Sequence, residues 1–142
     1  FTPLRVTLSQ EVLRGYAEAS PRLKGLLTLL SFDEPLNALR GSLAQERRPQ
    51  AQGQLIERYA QLLKGIKGAL SVAQAQRSSS AALQEQQRVT LHNLEVSYTN
   101  IIIDAINSGR LPLAERLCAV ARAHFPTDQG LKRMERTLQR AR

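Results

Sequence analysis

From Leu55 to Ala73 the apolar residues keep to one helical face. Leu55, Ile56, Tyr59, Leu62, Leu63, Ile66, Leu70 and Ala73 recur at helical spacing for about five turns. A stripe of that length must be covered by other parts of the chain. Aromatics make up only 4% of the residues and there is no Trp. The covering core is therefore built from Leu, Ile, Val and Ala, a composition that suits helices better than sheets. A chain of 142 residues fits one domain, or one domain with a loosely attached piece. At that size folding buries roughly 68% of the extended chain's surface, enough for a core without metal or disulfide.

Further helices are signalled on either side. Thr7-Leu8-Ser9-Gln10 has capping-box spacing, followed by Leu8, Val12, Leu13 and Tyr16 at helical intervals. Ser20-Pro21 pairs an N-cap residue with proline at the first helical position, ahead of Leu23, Leu26, Leu27 and Leu30. Asp33-Glu34-Pro35 opens a short helix carrying Leu36, Leu39 and Leu43. Gln45 to Gly53, polar with Pro49 inside, reads as a loop. Gly65 and Gly68 interrupt the long stripe, and each predicts close approach of another helix. Gln76 to Ser80 reads as a polar break. Residues 81–107 mix strand-like alternation with a helical stripe through Leu91, Leu94, Tyr98, Ile101, Ile102 and Ala105. No partner strand is evident, so helix is expected there. Asn107-Ser108-Gly109 is a turn, Pro112 restarts a helix, and Pro126-Thr127-Asp128 ends it and caps the next.

The expected fold is therefore all-α: antiparallel helical hairpins arranged as an α-solenoid-like stack or a bundle, with about six to seven helices. Residues 1–75 form an N-terminal helical part, 76–80 a polar linker or loop, and 81–142 a C-terminal helical part, together one compact unit. No apolar run approaches the roughly 20 residues that span a bilayer, and no signal-peptide pattern is present. The chain starts at Phe1 and its one methionine is Met134. The expectation is either a removed leader or anchor upstream or a portion of something longer, and the compartment is left open between cytoplasmic and extracytoplasmic.

Few residues carry chemistry. Cys118 is the single cysteine, which excludes an internal disulfide and reads as a buried inert thiol. His92 and His124 are the only histidines, and His124 near a helix C-terminus suits the helix dipole. Asp33, Glu34 and Asp104 are the candidates for paired carboxylates. Acids at a helix start suit capping and the dipole better. Gly65-Ile66-Lys67-Gly68 has GXXG spacing, yet the helical stripe runs through it. No catalytic, cofactor-binding or metal-binding set is identified, so an enzyme is not expected.

Charge is more informative. The net charge is +8, which favours an acidic partner: a protein, nucleic acid or an anionic surface. The excess peaks in Lys132, Arg133, Arg136, Arg140 and Arg142, interrupted by Glu135. Lys132, Arg136 and Arg140 repeat every four residues, with Arg133 beside them, and form the candidate docking face for an acidic partner.

Residues 95–142 resemble a tetratricopeptide repeat. Gly109, Ala114, Ala121 and Pro126 have the spacing of that family's turn glycine, two small second-helix residues and terminating proline. Where the family favours a bulky residue, Gly and an aromatic in its first helix, this chain has Ile101, Ile102 and Ala105. Ile102 opposes close packing in that pair. Leu55 to Leu70 would be a degenerate upstream copy. The resemblance implies paired antiparallel helices that build a groove for a peptide or protein segment, as in scaffolds and adaptors. The function expected first is thus a non-enzymatic helical protein-interaction module. A basic helical protein for nucleic acid or an anionic surface is the second, and an extracytoplasmic sensory or assembly domain of an anchored protein the third.

Overall fold

Proline sets several helix starts in this chain. It needs no hydrogen-bond partner in the first turn, and its φ is already helical. In the computed structural model, which describes residues 21–75 and 81–141, the helices are α1 (Pro21–Leu30), α2 (Asp33–Gln45), α3 (Pro49–Ala75), α4 (Ala81–Asn107), α5 (Leu111–His124) and α6 (Gln129–Ala141). The described residues are helical and contain no strand. None of these helices is long and apolar enough to cross a membrane. The capping box at Thr7, the Ser20 cap and the Gln76–Ser80 break lie outside the described residues.

The ambiguous stretch 81–107 is one continuous helix, as expected. The loop reading of Gln45–Gly53 is corrected. Pro49 begins α3, and Gly53 lies within it. Only Glu46, Arg47 and Arg48 separate α2 from α3. Proline there is a helix starter; Gln50 and Gln54 after it face solvent, and Gln52 turns back toward the end of α2.

Packing follows a regular plan. α2 lies on α3 and α4 on α5, while α2 also lies on α4 and α3 on α5; α1 packs on α3 and α4. α6 packs on α5 and touches α4 more lightly. Asp33 meets Ser97 and Arg40 meets Asp104 at the same sequence offset, so α2 and α4 run parallel. A single core joins the parts on either side of residues 76–80, from Leu29, Leu36 and Leu63 to Leu94, Leu117 and Leu131.

The two helix-interior glycines of α3 differ. A Cβ on Gly65 would lie 2.8 Å from two ring carbons of Phe32, so any side chain there must displace that ring. A Cβ on Gly68 would meet nothing within 4 Å, and the close approach expected at that position is absent. Position 65 points at the α1–α2 junction and position 68 at solvent, a difference of helical phase.

Candidate functional site

The four candidate cations all belong to α6, and its placement begins at its N-cap. Asp128 Oδ1 accepts from the Leu131 amide at 3.1 Å, satisfying one of the free donors of the first turn. Asp128 Oδ2 also accepts from the Tyr98 hydroxyl of α4 at 2.8 Å. The Tyr98 ring stacks on Phe125 with centroids 5.2 Å apart, and its carbonyl accepts from the buried Tyr59 hydroxyl at 2.9 Å. The start of α6 is thereby tied to α4 and, through Tyr98, to α3. Burial and the neighbouring Asp128 push the Tyr98 phenol upward, and the same two causes raise the Glu95 carboxyl.

Leu131, Met134 and Leu138 bury the inner side of α6. Glu135, its one acid, pairs with Arg122 of α5 at 3.3 Å. Rotating from Glu135 at roughly 100° per residue, Lys132 lies about 60° away, Arg136 about 100°, Arg140 about 140° and Arg133 about 160°. The stripe therefore drifts around the helix. Lys132 is half-buried beside the α5 contact, whereas Arg133, Arg136 and Arg140 are exposed. None of the four has an ion-pair partner among the described residues.

The other singled-out residues separate. Cys118 is buried in α5, and burial raises its thiol pKa, with Glu135 adding to the effect. His124 Nδ1 lies 3.0 Å from the Val120 carbonyl in the last turn of α5. His92 is on the exposed side of α4. Asp33 and Glu34 occupy the first turn of α2, but the helix has no side-chain cap. Asp104 is not a capping residue at all. It accepts from two guanidinium nitrogens of Arg40, with Nη2–Oδ1 at 2.9 Å. Tertiary pairing of α2 with α4 brings these residues together across 64 positions of sequence. The GXXG at Gly65–Gly68 lies inside α3.

Sequence reasoning missed Arg110. From the α4–α5 turn its Nη1 donates to the Leu43 carbonyl at 2.9 Å and the Glu46 carbonyl at 3.2 Å. These carbonyls belong to the last turn and C-cap of α2, where a cation is favoured. Burial lowers its pKa, and Arg47 adds repulsion. Nothing local marks such a contact; only the parallel α2–α4 alignment creates it. A cleft of about 640 Å³ lies between the far ends of α3 and α4, lined by Leu70, Ala73, Gln74, Gln84, Gln87, Arg88 and Leu91. No set of three His, Cys, Asp or Glu side chains is arranged for a metal among the described residues. Compared with models of protein families, with curated proteins and with solved structures, the chain finds no match.

Proposed function

We propose that this chain is a non-enzymatic helical protein-interaction module, an adaptor or assembly subunit. Its α2–α3 and α4–α5 hairpins are read as a short tetratricopeptide-like stack of six to seven helices in the whole chain, closed by α6. In support, like-placed helices of the two hairpins lie side by side, as neighbouring repeats of a solenoid do. The observation that carries the functional reading is on α6. Its only acid is engaged by Arg122, which leaves Lys132, Arg133, Arg136 and Arg140 without an ion-pair partner among the described residues. An acidic segment of a partner protein would supply the missing charge.

A nucleic-acid partner is the weaker reading. Stacking platforms need exposed rings. Among the described aromatics, Tyr59 and Tyr98 are buried, and Phe32 and Phe125 pack against the core. The deciding experiment is co-purification with the full chain and with a Lys132, Arg133, Arg136, Arg140→Glu variant of unchanged circular dichroism. Protein partners retained by the native chain and lost by the variant support the module. Salt-sensitive heparin retention lost in the variant, without any protein partner, supports the nucleic-acid reading instead.

A further inference from the structure

Two guanidinium groups converge at the end of α2 with no carboxylate of their own. Arg47 sits in the α2–α3 turn and Arg110 in the α4–α5 turn. Arg47 Nη1 donates to the Ala44 carbonyl at 3.0 Å and to the Glu46 carbonyl at 3.4 Å. Arg110 Nη1 reaches the same Glu46 carbonyl at 3.2 Å, from 64 positions away in sequence. The two Nη1 atoms are therefore no more than about 7 Å apart. Gln52 Nε2 donates to that oxygen as well, at 2.9 Å. A carbonyl oxygen has two lone pairs, so three donors crowd one acceptor.

Donors outnumber acceptors around this corner more widely. A guanidinium offers five N–H groups. Arg47 uses Nη1 alone, so its Nε–Nη2 fork has no partner among the described residues. Arg110 uses Nε on the Ser108 hydroxyl at 3.1 Å and Nη1 on the Leu43 and Glu46 carbonyls, which leaves Nη2. The acid of the turn does not offset them. The Glu46 carboxylate accepts from the Arg48 amide, Nε and Nη2. Neither Arg47 nor Arg110 has an ion-pair partner among the described residues. Besides burial, the charge that bears on Arg110 is Arg47, and it repels.

Capping of α2 accounts for the two Nη1 atoms. It leaves two like charges held together with unused donors. We infer that this corner, where the α2–α3 and α4–α5 turns meet, is a binding site for a phosphate monoester, with the Arg47 fork and Arg110 Nη2 as its donors. A carboxylate is satisfied by one fork and carries a single charge. A phosphate monoester carries about −1.5 to −2 at neutral pH and three strong acceptor oxygens. It therefore matches two guanidiniums in charge, and its oxygens can accept from both at about 2.7–2.9 Å. The site is separate from the α6 cations and does not depend on them. Only the carrier rests on the protein-interaction reading: a phosphorylated side chain of the partner.

The test is an NMR titration of the full chain with inorganic phosphate near neutral pH and at constant ionic strength, reading the Nε–H signals of Arg47 and Arg110. Both should move and saturate. Arg47→Gln and Arg110→Gln should each weaken binding at least about fivefold. Lys67→Gln, which removes an exposed cation of α3, should leave it unchanged. Binding should fade as pH falls through about 6, where the dianion gains a proton. A peptide with one phosphoserine should bind more tightly than inorganic phosphate and than its unphosphorylated form. Arg47 is exposed, so Arg47→Gln decides the matter even if melting by circular dichroism shows Arg110→Gln to be unfolded. Signals that do not saturate, or variants that bind as the native chain does, overturn the site and leave the α6 reading standing. Acetate binding as tightly as phosphate overturns the choice of ligand. A phosphopeptide no tighter than inorganic phosphate assigns the site to a small phosphate and overturns the carrier.

Discussion

The upstream hairpin α2–α3 and the downstream hairpin α4–α5 pack side by side, yet their turns are closed by different chemistry. Downstream, Gly109 takes φ +76°. The Gly109 amide bonds to the Ile106 carbonyl at 3.0 Å and the Arg110 amide to Ala105 at 2.9 Å, the two-bond pattern of a Schellman ending. Upstream, side chains do the closing. Glu46 Oε1 accepts from the Arg48 amide at 3.0 Å, and Gln52 Nε2 donates to the Glu46 carbonyl at 2.9 Å. The helix that follows also differs. In α5, the small residues Ala114 and Ala121 are fully buried, whereas α3 buries Ile56, Tyr59 and Leu63. A backbone solution leaves glycine and alanine at fixed spacings; a side-chain solution leaves no comparable punctuation. That is why only the downstream hairpin resembles a repeat family from its sequence.

Substitutions on each side sharpen the contrast. The largest effect is expected upstream at Tyr59→Ala, which removes a fully buried ring and its hydrogen bond to Tyr98. A loss of about 3–5 kcal/mol in urea unfolding is predicted. Downstream the reverse error applies: Ala121→Leu forces extra methylenes into a packed site and should cost about 1–3 kcal/mol. Gly109→Ala places a Cβ in the left-handed region and should cost about 1–2 kcal/mol by the same measurement. Arg110→Met keeps the aliphatic stem but drops the bonds to the end of α2. Its expected cost is about 1 kcal/mol, discounted for partial exposure. Hydrogen exchange should speed up at the ends of both α2 and α4, which would show that the two turns are coupled.

The smallest effect concerns pH. Bonds from Arg48 hold the Glu46 carboxyl down at about 2, against an ordinary value of 4.5. A depressed carboxylate contributes stability that is fully present above 4.5 and is lost as pH falls toward 2. Glu46→Gln should therefore flatten that part of the urea-midpoint profile by lowering the midpoint near neutral pH, with the native and variant profiles converging near pH 2. A native profile already flat between 4.5 and 2 would show that the Glu46–Arg48 contact contributes nothing to the upstream turn.

Two glycines show where legibility stops. Gly65 and Gly68 look alike in sequence, and close packing was expected at both. Phe32 comes from another helix junction to occupy only the first. The same holds for the basic run. Its four-residue spacing was visible, but the engagement of Glu135 by Arg122 was not, and that pairing leaves the four cations without a partner on their own helix. At Pro49 the loop expectation fails because the first turn of a helix facing solvent has the same polar composition as a loop.

By itself the sequence determined the helices of the described residues, most of their starts and the Gly109 turn. Each of these depends on residues within a few positions of one another, through periodicity, capping and backbone freedom. Tertiary structure alone decided that α2 and α4 run parallel, that Arg40 meets Asp104 and Arg110 meets the end of α2. It alone decided that Val96 and Ile103 remain in solvent. Those outcomes depend on which helices share a layer, and the contacts that set the layers join residues more than 60 positions apart.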